Sequence, residues 1–144
     1  MTPSFLSAIL NAYPDWGRLP IIERSGPGWR GRALIVPAPS TSDLEGGLDL
    51  EEVDDEVTIS FDHSHIHRNW PAERPGDLWS DALILVGAIL NEKVAASSGW
   101  IDDELRVGAL HESDNEPNLL VPGIQLIRIR SWLGTFDRDI SPVR

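Results

Sequence analysis

Apolar positions recur along this chain with two periods, and the changes between them divide it into elements. In "PSFLSAILNAYPDWG", Phe5, Ile9 and Tyr13 fall at i, i+4 and i+8, with Leu6 and Leu10 beside them, which predicts an amphipathic helix. Pro3 suits its first turn and Pro14 ends it. The Gly- and Pro-rich "GRLPIIERSGPGWRG" reads as loop. "RALIVPAP" is a short apolar run closed by prolines, a strand ending at an edge or bend. "GGLDLEEV" alternates at Leu48 and Leu50, then reaches Val53 after an irregularity, and has one wet face. "EVTISFDHSHIH" alternates most clearly: Val57, Ile59 and Phe61 point one way, Thr58, Ser60 and Asp62 the other. "VDDE" between these two runs predicts a hairpin turn that lacks the favoured glycine.

"NWPAERPGD" is expected to be loop. "DLWSDALILVGAILNEKVAAS" predicts the one long helix, N-capped by Asp77, with Trp79, Leu83, Val86 and Leu90 in one stripe and Ala82, Ile89 and Lys93 beside it. Its apolar girth calls for a sheet underneath, and its end runs on toward a strand around "KVAASSGW". "ELRVGALHE" is a strand, "SDNEPN" a polar turn, and "GIQLIRIRSW" changes parity near Leu126 and Ile127, which suggests a bulge. Short loops between consecutive strands imply antiparallel pairing. The expected fold is α+β: one domain over residues 1–144, with a twisted, mainly antiparallel sheet of about five or six strands. One long helix packs on one face, and a short N-terminal helix precedes it.

Composition narrows the classes. The 144 residues suit one domain, and no cysteine is present, which excludes disulfides, thiolate metal sites and a cysteine nucleophile. The longest apolar run, "ALILVGAIL", is half a membrane span at most, and the N-terminal stretch lacks a basic n-region, so a soluble cytoplasmic protein without a membrane partner is expected. The formal net charge of -11 argues against nucleic acid and favours a basic protein partner, or simple solubility. Nothing in the chain fixes an oligomeric state.

Charge and chemistry concentrate in two stretches. Nine acidic residues and no basic one lie between Asp43 and Asp62, among them Asp49, Glu51, Glu52, Asp54 and Asp55. On strands, Asp49 and Glu51 share one face and Glu52 and Asp54 the other. Such a patch steers a cationic partner, or keeps a hairpin solvated and unsuited to edge pairing. In "FDHSHIH", His63, His65 and His67 would continue the side of Val57, Ile59 and Phe61. Two imidazoles at i and i+2 can share a metal ion, but three such positions span roughly 13 Å. Two of them with a carboxylate from elsewhere is the more credible metal site, set against histidines that face a partner as the strand leaves the core. Trp70 and Trp132 sit at strand ends and either cap the core or anchor an interface. No nucleophile elbow, phosphate loop, dinucleotide fingerprint or H-E-x-x-H motif occurs, so no catalytic residue, metal ligand or cofactor is assigned.

Three segments, "EVTISFDHSHIHRNWP", "DALILVGAILNEKVAAS" and "IRIRSWLGTFDRDI", together resemble small bacterial immunity proteins of polymorphic toxin systems, in which an F-D-x-x-H-x-H and an R-S-W-x-G-x-x-D pattern recur. The likeness covers roughly residues 30–140, and its marked positions are Asp62, His65, His67, Arg130, Ser131, Trp132, Gly134 and Asp137. It implies a non-enzymatic protein that binds and neutralises a cognate toxin domain, and the charge pattern adds the expectation that this partner is basic and meets the acidic surface. The residues expected to touch that partner are Asp49, Glu51, Glu52, Asp54, Asp55, Asp62, His63, His65, His67, Trp70, Trp132 and Asp137. The alternative is a metal-dependent hydrolase or lyase built on the three histidines.

Overall fold

The computed structural model describes residues 4–54, 56–68, 79–119 and 121–142. Helix α1 (Phe5–Ala12) leads through a 3-10 turn (Pro14–Arg18) into five strands: β1 (Ile21–Gly26), β2 (Trp29–Val36), β3 (Leu48–Val53), β4 (Glu56–Phe61) and β5 (Ser64–Arg68). Helix α2 (Ser80–Leu90) follows, then β6 (Val94–Ile101), β7 (Glu104–Glu112), β8 (Leu126–Arg130) and β9 (Arg138–Ile140). The first five strands form an antiparallel meander in sequence order. The last four form a second antiparallel sheet ordered β7-β6-β8-β9. The α+β class holds, while the expected single sheet is replaced by two.

Register follows burial. Leu34, Leu50, Ile59 and Ile66 lie opposite one another across β2 to β5, as do Val36, Leu48, Phe61 and Ser64. All but Ile66 are buried, and α1 (Phe5, Leu6, Ile9) and α2 (Ala82, Val86, Ile89) cover this inner face. Trp79, Ala96 and Trp132 join the same core. Each fully buried Leu, Ile or Phe contributes about 1.5–3 kcal/mol, against about 0–1 kcal/mol for an exposed ion pair. The inner face therefore sets the register, and the charges outside adapt to it.

The N-terminus of α1 is closed from two sides. The Ser4 hydroxyl accepts from the Ser7 amide at 3.1 Å, and Glu52 Oε2 accepts from the Leu6 amide at 3.1 Å. These satisfy two of the donors a helix start leaves free, with a negative charge where the helix dipole favours one.

Several expectations are corrected. The stretch read as loop contains β1, which pairs with β2 from Ile21↔Leu34 to Gly26↔Trp29. β3 runs without irregularity to Val53↔Glu56, so Glu52, not Val53, shares the inner side with Leu50. The long helix is shorter, Ser80–Leu90, and Trp79 occupies its N-cap at φ 65°; Asp77 lies outside the described residues. The register shift falls between β6 and β7, where Gly99 pairs with Val107 and Trp100 with Leu105, not in β8. The run "EVTISFDHSHIH" is a hairpin, β4 and β5 joined by the two-residue turn Asp62–His63, with Asp62 at φ 56°. Among the described residues, no helix is long and apolar enough to cross a membrane.

Candidate functional site

The hairpin turn decides where the histidines go. Ser60 pairs with His65 and Thr58 with His67, so these two imidazoles stand on the outer, polar face of the first sheet. They do not continue the side of Val57, Ile59 and Phe61, which is fully buried. Their ring centroids are 4.6 Å apart, edge to face. His67 Nδ1 lies 2.8 Å from Thr58 Oγ1 and 3.2 Å from Glu56 Oε1. His63 sits in the turn, away from this pair, with its ring edge-to-face on Trp100 of the second sheet at 5.2 Å. The expected three-histidine alternation is thus split between two surfaces. No group of three metal-binding side chains occurs among the described residues.

The same outer face carries the acidic residues of β3. Asp49 lies beside Ser60, and Glu51 beside Thr58. Arg24 reaches both from β1, with Nη2 2.7 Å from Asp49 Oδ2 and Nη1 2.6 Å from Glu51 Oε2. To do so its side chain crosses β2, where Gly31 stands opposite Arg24 and the next residue on this face, Ala33, is small and fully buried. Hydrogen bonding to Asp49 first, and then to Glu51, raises the guanidinium pKa above its already high value. On the inner rim, Arg32 Nη2 meets Glu52 Oε1 at 2.6 Å, and the other oxygen of Glu52 serves α1. Asp49, Glu51 and Glu52 therefore have partners within the fold. Asp54 is exposed in the β3–β4 turn, and Glu56 is exposed at the start of β4. Asp55 and Trp70 lie outside the described residues.

The remaining expected contacts build structure. Asp62 Oδ1 accepts from the Glu45 amide at 3.0 Å, and Trp132 is core. Asp137 Oδ1 accepts from the Ser131 amide at 2.8 Å and its Oδ2 from the Asp43 amide at 3.2 Å. Arg130 pairs with Asp139 at 2.8 Å, not with Asp137. Gly134 adopts φ 86°, and a Cβ there would lie 2.5 Å from the Thr41 carbonyl oxygen. The R-S-W-x-G-x-x-D segment is thus a knot that fastens the second sheet to the 41–43 loop.

Glu92 holds that knot, and no sequence motif marks it. Its Oε1 accepts from the Ser131 hydroxyl (2.8 Å), the Leu133 amide (2.9 Å) and the Thr135 amide (3.1 Å), while Oε2 accepts from the Thr135 hydroxyl. Burial alone would raise its pKa; the hydrogen bonds outweigh burial and hold it below the ordinary carboxylate value. Glu92 sits at φ 58° just past the α2 C-cap, with its amide on the Ile89 carbonyl and that of Lys93 on Ala88. This is the helix stop usually given to glycine.

One serine–histidine contact lies elsewhere. His111 Nδ1 faces the Glu112 carbonyl oxygen, so Nδ1 carries the proton and Nε2 accepts from the Ser97 hydroxyl. Ser97 is fully buried in the central strand β6, so a substrate has no approach to its oxygen and the pair is structural.

A separate cleft opens at the end of the second sheet. Trp100, Asp103, Gln125, Leu126 and Arg128 line a cavity of about 280 Å³. The Arg128 guanidinium carbon lies 4.8 Å from the Trp100 ring centroid. No family model, curated protein or solved structure matches the chain.

Proposed function

We propose that this chain is a cytoplasmic, non-enzymatic binding protein that neutralises a cognate toxin domain, and that it docks through the outer face of its first sheet. The observation that supports the reading most directly is the placement of the two helices and the large core. All pack on the inner face, which leaves the outer face of β3, β4 and β5 to polar side chains. That face offers rigid strands, the histidine pair and the exposed carboxylates of Asp54 and Glu56 at its β3–β4 end, Glu56 beside His67, in a chain of net charge -11. The arrangement suits a basic partner, whose approach such a field accelerates.

The exposed charges, rather than those held by Arg24 and Arg32, are the ones to alter. In the pair Asp54→Asn and Glu56→Lys, two negative charges are lost and one positive charge is gained at the β3–β4 end, while the ion pairs of Arg24 and Arg32 remain. Asn tolerates the φ of 52° that Asp54 adopts. The experiment is stopped-flow association with the cognate toxin domain, at low and high salt. Wild type should associate faster at low salt, and the double variant should lose several-fold in rate with its melting temperature unchanged. An equal rate in both proteins at low salt would remove this face from the mechanism. Absence of any stoichiometric complex would remove the function.

A further inference from the structure

Five described arginines, Arg24, Arg32, Arg106, Arg130 and Arg138, reach a carboxylate within 3.0 Å. Arg128 does not, although acidic residues outnumber basic ones 23 to 12 in this chain. It is half-buried, its guanidinium lies against Trp100, and its Nε is buried with no hydrogen-bond acceptor among the described residues. The cation–π contact attracts the charge but supplies no oxygen acceptor for the guanidinium N–H groups. A partly desolvated guanidinium with unmatched donors is suited to a planar oxyanion, above all a carboxylate.

The opposite charge is in the same cleft. The β6–β7 turn places Asp102 and Asp103 both at positive φ, 51° and 62°. Gln125 engages only the first of them: its Oε1 accepts from the Asp102 amide at 2.9 Å and its Nε2 donates to Asp102 Oδ1 at 3.3 Å. Asp103 lines the cavity without an ion pair or side-chain hydrogen bond among the described residues. Arg128 and Asp103 share one cavity and do not reach each other. Between them Leu126 and the Trp100 ring supply apolar wall, and the unbroken β6–β8 register sets Trp100 opposite Leu126. Trp100 is further fixed by its indole N–H on Ser98 Oγ at 2.9 Å and by the edge of His63.

From this we infer that the cleft binds a small zwitterion of amino-acid size, with its carboxylate on Arg128, its ammonium on Asp103 and its side chain against Leu126 and Trp100. The volume, about 280 Å³, is near the lower end for ligand pockets and favours a free metabolite over a folded partner. The site lies apart from the outer face of the first sheet and does not depend on the toxin-binding reading.

The test follows the Trp100 indole N–H resonance in the full 15N-labelled chain, assigned with Trp100→Phe, during titration with a panel of free L-α-amino acids from glycine to tryptophan. For the best of them, the matching amine without the carboxylate and the matching acid without the amino group are titrated in parallel. A saturable shift is expected for at least one amino acid, with each half-molecule binding tenfold or more weakly. Arg128→Met and Asp103→Asn should each weaken binding by a similar factor. Asp103→Asn keeps a residue that tolerates positive φ, so it carries the test even if Arg128→Met fails to fold. No saturable shift with any amino acid, equal binding of the deaminated acid, or undiminished binding by Asp103→Asn would overturn the assignment.

Discussion

Replacing Glu92 tests the central joint of the fold. Glu92→Ala leaves the hydroxyls of Ser131 and Thr135 and the amides of Leu133 and Thr135 without their acceptor. Hydrogen bonds to a charged group contribute about 1.5–3 kcal/mol each, and water replaces the exposed members of this set, so a net loss of about 2–4 kcal/mol is expected. Glu92→Gly removes the same acceptors but relieves a non-glycine residue at φ 58°, a relief of about 1 kcal/mol. It should therefore be the milder change. Glu92→Gln keeps an oxygen for three of the donors and should cost about 1–2 kcal/mol. The dependence on pH has a definite sign. The folded-state pKa is depressed below the ordinary value of 4.5, so the stabilisation is present above that value and is lost as pH falls through the lower folded-state value. Urea unfolding of wild type, Glu92→Gln, Glu92→Ala and Glu92→Gly between pH 7 and pH 3 measures all of this. The gap between wild type and Glu92→Gln should narrow below pH 4.5. An alanine variant within about 0.5 kcal/mol of wild type, the usual range for an inert surface change, or a gap indifferent to pH, would refute the reasoning.

Other changes probe the sheets separately. Gly108→Ala would set a Cβ 2.3 Å from the His63 carbonyl oxygen, where the hairpin turn rests on β7. It should lower stability by about 2–4 kcal/mol in thermal unfolding. Gly17→Ala, with nothing within 4 Å, should stay within about 0.5 kcal/mol. Arg24→Met leaves Asp49 and Glu51 facing each other without their cation, and should cost about 1–3 kcal/mol in urea, with part recovered in high salt. Saturating zinc should raise the melting temperature of wild type no more than that of His65→Ala, because no three metal-binding side chains converge among the described residues; a zinc-dependent rise lost in the variant would revive the metal reading.

The strands with strict alternation and several apolar residues were legible from the chain alone: β3, β4 and β7 are found where the pattern put them, and α1 follows Phe5 and Ile9. β1 was not, because an edge strand needs little burial; its only large apolar residues, Ile21 and Ile22, are both partly exposed amid Gly and Pro. The β4–β5 hairpin was hidden by parity. Residues 57, 59, 61, 63, 65 and 67 look like one face of one strand, while the two-residue turn reverses direction and exchanges faces. Ile66, apolar at an even number, was the signal, as was a run of twelve residues where strands average five or six. The ion pairs of Arg24 join residues 25 and 27 positions apart, which no local pattern displays. Glu92 left one faint trace: an apolar helix that ends on Asn91 and Glu92 with no glycine to stop it.

Strand β6 is enclosed on both sides from Ala95 to Gly99, five consecutive residues with no side chain larger than a hydroxymethyl group. At Gly99 even one added carbon would come within 2.8 Å of Ile124 and 2.9 Å of Val107. In a saturation library this stretch should form a barren interval, intolerant of bulk at every step. Natural drift in this protein is then channelled around a narrow spine whose tolerances are set by volume and, at Ser97 and Ser98, by a hydroxyl that meets His111 and the Trp100 indole.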